Sequence, residues 1–201
     1  MTLRKKIEGA IVEFQQPLGA MGDLEDCVNQ LPDLVEAASE EWIDVLIDIV
    51  RDSPDWIPDA GEEGELFESD LAYVTAGILR RFPDGVQKVT PLLENDETRV
   101  LAFNILAGSC LPEALDLLEP FVRDLQTLST EEVCHLASAL TGWRGERNRP
   151  WLTKIRNKAP DCPLPQSLAY DSYMKRRPIR TLYALIENSL EDQREEPFHP
   201  A

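Results

Sequence analysis

The side chains best equipped for chemistry in this chain of 201 residues are carboxylates. Glu40, Asp44, Asp48 and Asp52 recur every four positions. The stretch DSPDWIPDAGEEGELFESD (52–70) then carries eight acids and no base. Carboxylates at this density can hold a hard cation, attract a basic partner, or simply solvate a surface. A calcium loop needs oxygen ligands at loop positions 1, 3 and 5, a glycine at 6 and a bidentate glutamate at 12. With Gly64 at position 6, position 3 falls on Gly61 and position 12 on the shorter Asp70, so no ion site is expected. The other two readings share one residue set. On a docking surface, Glu40, Asp44, Asp48, Asp52, Asp55, Asp59, Glu62 and Glu63 steer a cationic protein and Trp56 anchors it. On a solvated face the same carboxylates only keep the chain in water, and their mutual repulsion costs about 0.2–0.5 kcal/mol per helical pair.

Other chemistries find little material. The cysteines stand at 27, 110, 134 and 162 with no C-x-x-C pair, so they read as reduced, small apolar residues rather than a metal cluster or a dithiol. Histidine occurs only at 135 and 199. Cys134 and His135 are adjacent, but helical neighbours point about 100° apart and make no nucleophile–base pair. G-x-S-x-G, G-x-x-x-x-G-K and G-x-G-x-x-G are all absent. The expectation is a non-enzyme with no catalytic residue, metal or cofactor.

The formal charge of −17 is unevenly distributed: residues 23–70 carry a net −16, whereas residues 144–180 carry +7. The basic segment holds Arg144, Arg147, Arg149, Lys175, Arg176, Arg177 and Arg180, interleaved with Trp143, Trp151, Tyr170 and Tyr173. Cations among aromatics suit phosphate and base stacking, which makes nucleic acid the alternative partner. The acidic half opposes it, since it repels phosphate within a Debye length of ~8 Å. Two opposite poles on one molecule also permit head-to-tail self-association.

The elements that must position these residues are helices. Leu3, Ile7, Ile11 and Phe14 draw one apolar face, which PLGAMGD (17–23) interrupts. SEEWIDVLIDIVRDSP (39–54) reads as a helix between a Ser39 cap and a Ser53-Pro54 stop. A rhythm of helix pairs follows. At an offset of 29, Pro83, Val86, Val89, Pro91 and Leu92 fall on Pro112, Leu115, Leu118, Pro120 and Phe121. Ser129 and Glu132 form a capping box before the next helix. Repeats of two short helices point to an α-solenoid, because one hairpin alone cannot bury its apolar face.

PLLENDETRVLAFNILAG (91–108) resembles the HEAT repeat family. Arg99, Ala102 and Leu106 match the arginine, an alanine and a leucine of its motif, and Asn95 stands where that family usually has aspartate. The resemblance covers about residues 70–160 and implies stacked antiparallel helix pairs. It also permits duplex DNA binding, as some HEAT-like proteins bind DNA.

The expected architecture is all-α: a HEAT-like α-solenoid with capping helices in one domain, 1–201. An N-terminal helix and turn (1–23) precede the repeats (24–160). An irregular wrap and closing helix (161–192), with Pro178 in the helix's first turn, lead to a tail (193–201). No apolar run reaches the ~20 residues of a membrane span. Glu8 and Glu13 break what a signal peptide would need as its apolar core, so a cytoplasmic location without membrane contact is expected. The expected function is a scaffold, adaptor or inhibitor-like module for a basic protein partner. The nucleic-acid reading stands second and an enzyme or lyase on a HEAT-like scaffold third.

Overall fold

Apolar residues spaced three and four apart need a surface to cover, and α1 (Glu41–Asp52) buries Trp42, Ile43, Leu46, Ile47, Ile49 and Val50 on one face. The computed structural model describes residues 2–7, 35–52, 62–143, 148–172 and 177–195, and most of these are helical. The chain divides into two compact units, Met1–Leu111 and Pro112–Ala201.

In the first unit, α1 is followed by α2 (Glu62–Arg81), a 3-10 helix (Pro83–Val89), α3 (Thr90–Glu94) and α4 (Arg99–Ser109). α2 begins at Glu62, so residues 62–70 of the acidic stretch are helical, whereas residues 53–61 lie outside the described residues. Residues 83–94 are divided between the 3-10 helix and α3, with prolines 83 and 91 each in a first turn. Proline lacks the N–H that would continue a helical ladder, so it starts helices more readily than it extends them. α2 and α4 pack closely through small residues: a Cβ added at Gly108 would lie 2.9 Å from the Cβ of Ala76. Leu71, Val74, Ile78 and Leu79 from α2 and Ala102, Phe103, Ile105 and Leu106 from α4 fill the core between them.

The turn before α4 is closed by donors. Thr98 Oγ1 donates to the Leu92 carbonyl at 2.8 Å, and the buried Arg99 donates through Nε to the Leu93 carbonyl at 2.8 Å. Those carbonyls lie in the last turn of α3, where acceptors lack helical partners. At its other end α4 stops at Cys110, whose φ of 55° places a non-glycine residue in the left-handed region.

The second unit contains α5 (Pro112–Arg123), a 3-10 turn (Leu125–Thr127), α6 (Thr130–Thr141) and α7 (Asn148–Lys158). These precede a two-stranded ribbon and α8 (Leu182–Glu195). The capping box at Ser129 and Glu132 is present in both directions. α8 packs on α6 and α7, and Leu182, Leu185, Ile186, Leu136, Leu140, Leu152 and Ile155 of these helices are buried. The ribbon pairs β1 (Tyr170–Ser172) with β2 (Arg177–Ile179) antiparallel, Tyr170 opposite Ile179 and Asp171 opposite Pro178. Pro178 therefore sits in a strand instead of opening the closing helix. A two-stranded ribbon has only edge strands, where a missing N–H is tolerated. Thr181 opens α8 in its place, its hydroxyl accepting from Ala184 N at 3.3 Å, while Asp161 Oδ1 accepts from Tyr183 N at 3.0 Å.

Candidate functional site

The acidic row of α1 is exposed, with the side chains of Glu40, Asp44, Asp48 and Asp52 between 43% and 60% accessible. The same helix that buries its apolar face turns this row outward, as a four-residue period requires. The chain also supplies its own counter-charges. Lys88, in the 3-10 helix, places Nζ 2.9 Å from Asp44 Oδ2 and 4.0 Å from Glu40 Oε1. Arg51 reaches Asp48 at 2.5 Å and Asp52 at 3.6 Å, and Arg4 reaches Asp52 at 2.7 Å. The hydrogen bond from Arg4 holds the Asp52 carboxyl below its ordinary range, against partial desolvation and with help from the charges of Arg4 and Arg51. Asp55, Trp56 and Asp59 lie outside the described residues. Glu62 and Glu63 open α2, but their side chains are likewise outside the description.

The basic segment is used differently. Arg144, Arg147, Lys175 and Arg176 lie outside the described residues, and Arg177 is described only as backbone in β2. Arg149 is exposed on α7. Arg180 donates to the carbonyls of Tyr170 and Ile179 at 2.7 and 3.2 Å, bracing the ribbon. Arg156 lies 3.5 Å above the Tyr183 ring and pairs with Glu187 at 2.9 Å, and Lys154 donates to the Arg123 carbonyl at 3.2 Å. Lys154, Arg156 and Arg180 thus tie α7, α8 and the ribbon to the rest of their unit.

A second feature was not foreseen from residue spacing. Cys134, fully buried on α6, and Cys162, half-buried ahead of the ribbon, bring their Sγ atoms to 3.5 Å. Burial, reinforced by the neighbouring Cys162, pushes the Cys134 thiol up to about 12. Cys162 lines a cavity of about 270 Å³ whose wall includes Arg123, Asp124, Val133, Lys158 and Leu182. His135 is buried beside Cys134 in sequence, and desolvation lowers its pKa against a weaker opposing effect of Glu131. No short-range pattern announces the thiol pair, because 28 positions separate the two cysteines and only the packing of α6 on the 160–182 region joins them. Among the described residues, no three His, Cys, Asp or Glu side chains converge as a metal site would need, and no helix is long and apolar enough to cross a membrane.

Comparison of the chain with protein-family models, curated proteins and solved structures returns no match. The functional reading therefore stands on the residues themselves.

Proposed function

We propose that this protein is a non-enzymatic interaction module of HEAT-like helix pairs, a scaffold, adaptor or inhibitor that docks a basic protein surface through the acidic row of α1. The exposure of that row carries the reading. Glu36 and Glu41 add exposed carboxylates to Glu40, Asp44, Asp48 and Asp52, and among the described residues the row pairs with Arg4, Arg51 and Lys88. The excess is negative and outward-facing, which speeds encounter with a cationic surface and sets orientation more than it sets affinity. The buried apolar face of α1 fixes the helix, so the row is presented without an ordering cost on binding.

The test is a pull-down from native lysate at two salt concentrations, with wild type beside the double reversal Asp44→Lys, Asp48→Lys. Captured proteins of high isoelectric point, lost at raised salt and lost on reversal, support the reading. Identical capture by both proteins makes the row solvated surface. Lys88→Ala supplies a second measurement: releasing Asp44 from its internal partner should lengthen retention on a cationic resin.

A further inference from the structure

Two thiols separated by 28 positions meet at 3.5 Å in the second unit, and their surroundings differ in a way that assigns them separate tasks. Cys162 is accessible from the cavity shared with Lys158 and Arg123, whereas Cys134 has no exposed surface. The backbone around Cys162 is pinned. Its carbonyl accepts from Leu182 N at 3.0 Å, and Leu164 N donates to the Arg180 carbonyl at 2.9 Å. Cys134 is fixed within α6. Closing the sulfur gap to the disulfide length of about 2.05 Å needs only about 1.5 Å of approach, within the reach of side-chain rotation.

We propose that Cys134 and Cys162 are a modification site: a thiol pair that a small hydroperoxide entering the cavity converts to an intramolecular disulfide, fastening α6 to the segment that leads into α8. The sulfur of Cys162, as thiolate, attacks one peroxide oxygen. The O–O bond breaks, and the departing hydroxide takes up the proton given off by the thiol, leaving as water. Cys162 is then a sulfenic acid. Cys134 sulfur attacks the Cys162 sulfur, the S–S bond forms, the S–O bond breaks, and the hydroxyl leaves as water with the Cys134 proton. Two thiols and one hydrogen peroxide yield one disulfide and two waters. The burial that holds the proton on Cys134 keeps it from reacting first, so the cavity-facing sulfur receives the oxidant. Cys110 is exposed, but it has no second sulfur close by among the described residues, so it cannot complete the second step in the same way.

The experiment uses the full chain, reduced and freed of reductant, with one equivalent of hydrogen peroxide, followed by digestion without reduction and mass mapping. The expected result is a linked pair of peptides containing Cys134 and Cys162, two hydrogens lighter than the sum of the free peptides. Thermal unfolding should rise by about 5–10 °C, reversibly on reduction with dithiothreitol. In Cys134→Ser the resolving sulfur is missing, so dimedone should trap a sulfenic acid on Cys162 and peroxide should leave the melting temperature unchanged. Wild-type protein in which both cysteines remain thiols while Cys110 is oxidised overturns the proposal. That mapping needs no variant, so it decides the matter even where Cys134→Ser does not fold.

Discussion

The two helix pairs that share the sequence rhythm, residues 83–109 and 112–141, close their turns at opposite ends of a helix. In the first, Thr98 and Arg99 donate to Leu92 and Leu93, the acceptors left over at the end of α3. In the second, Ser129 Oγ accepts from Glu132 N at 3.2 Å, and Glu132 Oε2 accepts from Ser129 N at 2.7 Å, which satisfies donors at the start of α6. The position 29 after Arg99 is Leu128, so the apolar repeat continues while the polar device changes. Apolar packing demands only volume and period. Orphan backbone groups can be satisfied from either side of the turn. The two devices also differ in burial, since Arg99 is 9% exposed and Ser129 is exposed.

That difference sets the order of expected losses. Arg99→Met keeps the aliphatic stem but strands the Leu93 carbonyl, and urea unfolding should show a loss of about 2–3 kcal/mol. Arg99→Lys should recover little, because an ammonium cannot reproduce the fork that reaches both Leu93 and Asp96. Ser129→Ala should lose about 1 kcal/mol. Adding Glu132→Ala to it should cost less than the two separate losses combined, because the box is reciprocal. Equal losses at Arg99 and Ser129 would erase the distinction between the turns. The smallest effect is a pH dependence peculiar to the second pair. His135 is held neutral by burial, so the unfolded chain binds the proton more readily as pH falls below about 6.5. Stability should be level above that value and decline below it, down to the depressed native pKa. The decline should flatten in His135→Asn, read from urea midpoints across pH 5–8.

Much of the helical content could be read from local pattern. The apolar face of α1, the box at Ser129 and the Arg99 motif all depend on residues within a turn or two of one another. Proline is visible in the sequence, but its outcome depends on tertiary partners: Pro178, expected in the first turn of the closing helix, lies in a strand whose partner cannot be guessed from composition. The candidate site was legible as a row of acids and illegible as an electrostatic unit. Lys88 reaches Asp44 across 44 positions and Arg4 reaches Asp52 across 48, distances at which sequence carries no pairing signal. The thiol pair was hidden for the same reason.

The internal cations along α1 also bear on how salt would act. A carboxylate already held by Lys88 or Arg4 must give up one partner to take another, so the proposed docking would be an exchange of ions and not a fresh neutralisation. Screening weakens both arrangements together. Affinity should therefore fall with ionic strength less steeply than a tally of the carboxylates suggests, and Asp48, beside the exposed Arg51, should change partners more readily than Asp44.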